Sequence, residues 1–204
     1  MDTDYLNQKN ILSYRLDSEL LLSKALNKTR EHILTNLNFT IKQNDFHKFR
    51  RLLLRRKIKE PIAYIFKQKE FWKYSFVVNR DVLIPRPETE IIIEEILKLT
   101  NKQSSKYFLD VGTGSGCLIL SILKERPKSV GTAIDISKKA LNVAISNAKM
   151  HHLENKINFK NIDIDKFIDN KYDFIISNPP YISKSDLSRL DQSVRFYEPY
   201  IALE

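Results

Sequence analysis

Two short strings in the sequence carry residue types suited to holding a nitrogen against an electrophile. The first is Asn178-Pro179-Pro180-Tyr181, which closes the apolar run from Tyr172 to Ser177. Consecutive prolines fix φ and remove ladder donors, so this turn is stiff and its carbonyl groups point outward. A planar amide-type nitrogen is a poor nucleophile because its lone pair is delocalised, so positioning is the main task in making it react. The Asn178 side-chain oxygen and the Pro179 carbonyl can each accept one N–H of such an NH₂ group, while Tyr181 packs on its flat face. No strong base is required before transfer. A carboxylate in place of the amide, lacking N–H donors, would leave two buried oxygens unpaired and facing like charge.

The second string is Gly112-Thr113-Gly114-Ser115-Gly116, between Tyr107-Phe108-Leu109-Asp110-Val111 and Cys117-Leu118-Ile119-Leu120. This reads as a strand, a glycine turn and a helix start. Glycine is needed where the backbone takes positive φ and a ligand must approach without a Cβ in the way. Asp135 ends the next apolar run, where a carboxylate accepts hydrogen bonds from both hydroxyls of a ribose. Nicotinamide and flavin enzymes share this geometry. Two features lean away from a dinucleotide. The spacing is G-x-G-x-G rather than G-x-G-x-x-G, and Asp110 repels a pyrophosphate while suiting the sulfonium and ammonium of S-adenosylmethionine. Asp163 ends the third apolar run on the same sheet edge and is placed to meet an adenine, with Ile164 on its face; a plain surface carboxylate fits Asp163 almost as well. Cys117 reads as a small core residue, since no histidine sits in a context that would activate it.

The elements that position these strings follow from periodicity. Leu16, Leu20, Leu21 and, less regularly, Leu26 predict a helix over 16–26, with Asp17 and Ser18 suited to its first turn. A second helix is expected at about 28–36 and a third at about 44–58, where Phe46, Phe49, Leu52, Leu53 and Arg56 mark the pattern before Pro61. Two runs, Phe71 to Val78 and Val82 to Ile84, flank Asn79-Arg80-Asp81 and predict a hairpin. From Pro87, with Glu88 and Glu90 in a first turn, helix and strand alternate: strands at about 107–111, 130–135, 157–162 and 172–177, helices at about 116–125 and 137–150. The fold class is therefore α/β, a parallel sheet with right-handed crossovers, preceded by a small all-α unit. The expected boundaries are a helical domain at 1–70, a hairpin connector at 71–85 and the α/β domain at 86–204.

With 204 residues, 42% of them hydrophobic, the chain can fill a core. No stretch approaches the roughly eighteen apolar residues of a membrane span, and the N-terminus has neither a basic start nor an apolar h-region, so a cytoplasmic protein without membrane contact is expected. One cysteine and four histidines without ligand spacing speak against a metal. The net charge of +9 keeps a nucleic-acid contact open. Its densest cluster, Arg50, Arg51, Arg55, Arg56, Lys57 and Lys59, is expected to be a solvated helix face or a docking face for an acidic or ribonucleoprotein partner.

These residues resemble the release factor glutamine methyltransferase (HemK/PrmC) family over nearly the whole chain. The likeness covers Leu16-Asp17-Ser18-Glu19-Leu20-Leu21-Leu22, Glu60-Pro61-Ile62-Ala63-Tyr64-Ile65, Leu83-Ile84-Pro85-Arg86-Pro87-Glu88-Thr89-Glu90, the glycine loop, Asn178-Pro179-Pro180-Tyr181 and Tyr197-Glu198-Pro199. The Pro-Arg-Pro-Glu-Thr-Glu string is the most discriminating. The resemblance implies a helical N-terminal domain that grips the partner and a class I, Rossmann-like S-adenosylmethionine-dependent methyltransferase domain. It also implies a substrate: the glutamine of the Gly-Gly-Gln loop in peptide-chain release factors, methylated on its side-chain nitrogen (N5), with ribosome-associated RNA as an indirect contact. Gly112 to Gly116 and Asp135 would take the cofactor, and Asn178 to Tyr181 the glutamine. Arg86 and Glu88 either line the cleft or form a helix cap with a surface ion pair.

Two departures stand out. Phe66-Lys67 follows Tyr64-Ile65 where the family usually has glycine, so a different local turn is expected. The sequence also stops at Glu204 where the family continues with strands that complete the sheet. The expectation is a C-terminally truncated, poorly stable and weakly active chain with Tyr172 to Ser177 as an apolar edge. Two rival readings stay open: a nucleic-acid N6-adenine methyltransferase, whose target is also a planar NH₂, and a truncated non-catalytic module that binds release factor or cofactor.

Overall fold

A computed structural model describes residues 6, 11–36, 40–168 and 171–204. The chain divides into two compact units, residues 1–66 with 192–197, and residues 67–191 with 198–204.

The first unit is helical: α1 (Tyr14–Leu26), α2 (Arg30–Thr35), α3 (Gln43–Lys57), α4 (Ile62–Phe66) and a distant short helix, Gln192–Tyr197. Helix α1 ends where Asn27 turns left-handed (φ 52°) and its N–H closes on Lys24, the usual way orphan helix carbonyls are satisfied. Its buried face runs through Asp17, Ser18, Leu21 and Ala25, while Leu16 is exposed. The face is therefore rotated from the one the leucines suggest. Asp17 is turned inward because the Arg56 Nε of α3 donates to it at 2.7 Å, and Ser13 Oγ donates at 2.9 Å; a buried carboxylate is tolerable only when paired in this way. Arg55 grips Glu60 through two bonds of 2.8 and 2.6 Å. Part of the basic cluster on α3 is thus occupied in holding the unit together. Leu6, Ile11, Leu21, Ala25, Phe49, Leu53 and Ile65 form its core.

The second unit begins with a hairpin, β1 (Gln68–Phe71) and β2 (Tyr74–Val77), whose turn is Trp72-Lys73. This corrects the expected hairpin around Asn79-Arg80-Asp81. Those three residues instead form a side-chain-stabilised turn, in which Asn79 Oδ1 accepts the Asp81 N–H. Trp72 lies at φ 56°, a region a tryptophan does not favour. Tertiary contacts hold it there: Glu90 accepts its backbone N–H at 2.7 Å, and Glu125 accepts its indole N–H (3.0 Å), the Lys73 ammonium (3.0 Å) and the Tyr74 hydroxyl (3.2 Å). Phe71 and Phe76 of the hairpin belong to the main core with Ile93, Phe108, Ile119 and Leu123, so the hairpin is part of this unit's packing.

Lys67, where the family usually has glycine, adopts φ 57°, and its carbonyl accepts the Val78 N–H. The turn is formed even though the residue carries a Cβ. A left-handed conformation costs an L-residue about 1–2 kcal/mol, partly offset by the larger entropy glycine loses on folding. Lys67→Gly is therefore expected to stabilise the chain by roughly 0.5–1 kcal/mol. Urea unfolding checks this: the midpoint should rise with an unchanged slope, and an unmoved or lower midpoint would contradict it.

After a short turn at Pro87–Thr89 comes α5 (Glu90–Leu99), then β3 (Tyr107–Val111), α6 (Cys117–Glu125), β4 (Val130–Asp135), α7 (Lys138–Met150), β5 (Ile157–Asn161) and β6 (Phe174–Ser177). Strands β3 to β6 form a four-stranded sheet in the order β5-β4-β3-β6, and its pairings among the described residues are parallel. The central strands β3 and β4 are buried over most of their length, and Phe108 and Ala133 share a core with Ile119, Leu120 and Leu123 of α6. The chain steps outward from β3 to β5 and returns to the far side of β3 as β6, creating a switch point at the carboxyl ends of the strands, where ligands bind in such sheets. Val111 pairs with Ser177, so Gly112 and Asn178 leave neighbouring strands at the same level. Among the described residues β6 is an edge strand, with Ile175 68% exposed. No helix among the described residues is long and apolar enough to cross a membrane.

Candidate active site

The glycine loop is fixed by its own strand ends. The backbone N–H groups of Gly112 and Thr113 both donate to the Ile134 carbonyl, at 2.9 and 3.0 Å. Gly112 (φ 69°) and Gly116 (φ 80°) both need the left-handed region. A Cβ on Gly116 would press on Leu120 at 3.0 Å and Ala144 at 3.3 Å, whereas one on Gly112 would meet nothing within 4 Å and would project into open space. Gly116 thus serves packing beneath the loop. Gly112 leaves room above it.

Asp135 completes the loop from the end of β4. One carboxylate oxygen accepts the Gly114 N–H at 2.9 Å and the other the Ser137 N–H at 2.8 Å. Each oxygen retains a lone pair, so the group can still accept two hydroxyls. Ser137 in turn caps α7 by accepting the Ala140 N–H.

These residues open onto a cavity of ≈ 320 Å³, within the range of pockets that take a cofactor-sized ligand. Its wall includes Asp110, Gly112, Thr113, Gly114, Ser115, Asp135, Asp163, Ile164, Asn178, Pro179, Pro180 and Arg86. The predicted site residues therefore meet in one place, with three exceptions. Gly116 lies below the wall. Tyr181 is 80% exposed and not part of it, because the stiff double proline carries the chain outward. Glu88 is exposed on the first turn of the segment before α5 and does not line the cavity.

Asn178 donates from Nδ2 to Thr89 Oγ1 at 3.4 Å. That bond orients the amide and leaves Oδ1 as an acceptor. Arg86 is not a free cation: its guanidinium holds Glu198 at 2.6 Å, and the other Glu198 oxygen accepts the Ile84 N–H at 3.0 Å. Glu198 is buried, and this clamp joins residues 84–86 to the Pro199–Ala202 segment, both of which contribute to the wall. Asp163 spends one oxygen on the Asp165 N–H at 3.1 Å, and Ile164 is half exposed beside it. Sequence reasoning assigned no part to Thr89, Glu198, Asp81, Val82 or Ile201. The first two lie inside strings it had singled out, so their place there was the available signal.

Asp110 is 1% exposed, and burial pushes its carboxyl up to about 7, against the opposing hydrogen bond from Thr113 Oγ1 at 2.7 Å. The folded chain thus holds this proton more tightly than the unfolded chain, whose carboxyl sits near 3.8. Folding takes up a proton between those values, so this group's contribution to stability falls as pH rises from about 4 to about 7 and is level above. Asp110→Asn, which mimics the protonated form, should therefore gain stability relative to the parent across that window, by at most about 1.4 kcal/mol per pH unit. Thermal midpoints of the two proteins at pH 5 and pH 8 check it, and a difference independent of pH would contradict the assignment. Burial also pushes the Cys117 thiol up to about 12, which removes it as a nucleophile at neutral pH.

A switch-point cavity between a glycine loop and a proline-stiffened turn defines a methyltransferase domain of the Rossmann-like class, and comparison with known proteins agrees. The family model for a methyltransferase small domain matches residues 88–193, and that for a PrmC N-terminal domain matches residues 3–66. The chain is 39% identical over 196 residues to a release factor glutamine methyltransferase of Buchnera aphidicola, covering 96% of this chain and 70% of that protein. To another of Leptospira interrogans it is 38% identical over 204 residues, covering 98% and 71%. To a bifunctional methyltransferase of Rickettsia conorii it is 35% identical over 231 residues, covering 98% of this chain and 43% of that one. The chain belongs to the release factor glutamine methyltransferase (HemK/PrmC) family. It spans about 70% of the length of the Buchnera aphidicola and Leptospira interrogans proteins and 43% of the Rickettsia conorii protein.

Proposed function

We propose that the chain methylates the side-chain N5 of the glutamine in the Gly-Gly-Gln loop of peptide-chain release factors, using S-adenosylmethionine, in the cytoplasm. The observation that carries this reading is the shared cavity wall: Asn178 and Pro179 line the same cavity as Gly112, Gly114 and Asp135.

The residues present fit the cofactor. Asp135 has lone pairs left for a ribose, the space over Gly112 is open, and Asp110 lines the cavity, where a bound cationic group would favour its ionised form. When bound, S-adenosylmethionine supplies a methyl group on a positively charged sulfur. Gly112 to Gly116 and Asp135 hold that cofactor, with Asp163 and Ile164 at its adenine end. Asn178 Oδ1 and the Pro179 carbonyl each accept one N–H of the glutamine amide, aligning its nitrogen and favouring the positive charge that develops on it. Pro180 keeps the turn rigid. Tyr181, exposed before substrate arrives, covers the outer face of the amide, and Arg86 acts through its clamp on Glu198. Holding the reactants in line supplies up to about 7–11 kcal/mol of the barrier. The N-terminal helical unit provides grip on the release factor, and the α/β domain carries the reaction.

The test offers radiolabelled S-adenosylmethionine with a release factor, or with adenine-containing DNA and RNA. Label in the release factor is expected. Label in nucleic acid would select the N6-adenine reading, and cofactor binding with no transfer to either would select a non-catalytic module.

A further inference from the structure

Asn147 lies on α7, outside the wall of the cavity, with no surface exposed to solvent. Its amide is fully used. Oδ1 accepts the Val77 N–H at 2.7 Å, and Nδ2 donates to the Val77 carbonyl at 3.0 Å and to the Ser115 carbonyl at 2.8 Å. Toward Val77 the side chain behaves as a neighbouring strand would, pairing both backbone groups of one residue at the end of β2. Toward Ser115 it reaches the glycine loop from beneath. Ala144, one turn earlier on the same helix face, is the residue against which Gly116 packs.

The two backbones joined in this way lead into two separate segments of the cavity lining. Ser115 belongs to the cofactor loop. Val77 ends the strand that runs on into Asp81, Val82, Leu83, Pro85, Arg86 and Thr89, which line the same cavity. No other residue type of this size can satisfy all three groups: aspartate lacks the two donors, and leucine lacks any polar atom. An unsatisfied carbonyl buried at this depth would rotate to find a partner, taking the loop peptide with it.

We infer that Asn147 is a positioning residue for the reaction: it ties the glycine loop to the hairpin and thereby sets the place of that loop against residues 81–89 of the cavity lining. This rests on the cofactor reading given above and adds that the hairpin governs cofactor affinity from a distance.

The test uses the full chain and S-adenosylhomocysteine as the probe, titrated calorimetrically. Asn147→Asp keeps the bond from the Val77 N–H and loses both donors; Asn147→Ser gives up all three contacts. Leu153→Ala, in the core near the end of α7 and away from the cavity, serves as a control for lost stability. At a temperature where circular dichroism shows all proteins folded, both Asn147 variants should bind the probe at least tenfold more weakly, with the control within twofold of the parent. Asn147 variants within tenfold of the parent, or a control weakened as much as they are, would overturn the inference. A parent that fails to bind the probe would instead sink the cofactor reading itself. Should the Asn147 variants not fold, amide exchange in the unaltered chain decides. Adding the probe should slow exchange at Val77 more than at Phe71, which pairs with Tyr74 at the turn end of the hairpin, and equal slowing would overturn the inference.

Discussion

Replacing Asn178 with alanine is expected to lower kcat by about 10³-fold or more while cofactor affinity stays within about tenfold. The side chain sits where β6 ends, level with the glycine loop through the Val111–Ser177 pairing. Its Nδ2 is engaged with Thr89, so the oxygen is the atom available to an incoming amide. Alanine removes an acceptor that acts on the nitrogen as charge develops there, which is the kind of interaction that raises kcat rather than binding. Single-turnover transfer to a release factor, set beside a calorimetric Kd for S-adenosylhomocysteine, separates the two quantities. Equal losses in both would contradict the assigned role.

Asp135→Ala should show the opposite division. The carboxylate anchors Gly114 and Ser137 and is the group placed to receive ribose hydroxyls, so its loss should weaken cofactor binding by at least 100-fold, about 2.7 kcal/mol. At saturating cofactor kcat should fall far less, because the interaction is present before and during transfer alike. A variant that binds cofactor normally and fails only in kcat would show that Asp135 belongs to the acceptor side.

How much of this was legible beforehand differs by element. The bounds of β3 and β4 follow from runs that are apolar on both faces and end in chemistry-bearing residues. The turn at Trp72-Lys73 was not legible, because no glycine or asparagine marks it and what holds it lies in Glu90 and Glu125, far along the chain. Local turn chemistry favoured Asn79-Arg80-Asp81 and lost to tertiary contacts. Likewise Leu16 outranks Asp17 in any hydrophobic pattern, yet Asp17 faces inward because Arg56 meets it. At the site, strand ends and glycine spacing sufficed to gather the cofactor loop, Asp135 and Asn178 into one cavity. For Arg86 the sequence left a place in the cleft and a surface ion pair both open; the structure has it in the cavity wall and paired, and its partner, the buried Glu198 112 residues away, was not legible. Asn147 drew no attention at all, because an asparagine within a helix pattern carries no sign that its amide stands in for a strand.

The most direct test of two oxygens receiving one NH₂ group compares a release factor bearing Gly-Gly-Gln with one bearing Gly-Gly-Glu at the same loop. Transfer to the glutamine side chain should exceed transfer to the glutamate by a factor on the order of 10⁴ or more, since the carboxylate offers no N–H to either acceptor. Comparable labelling of the two, with the glutamate product released by mild base as a methyl ester, would contradict the account.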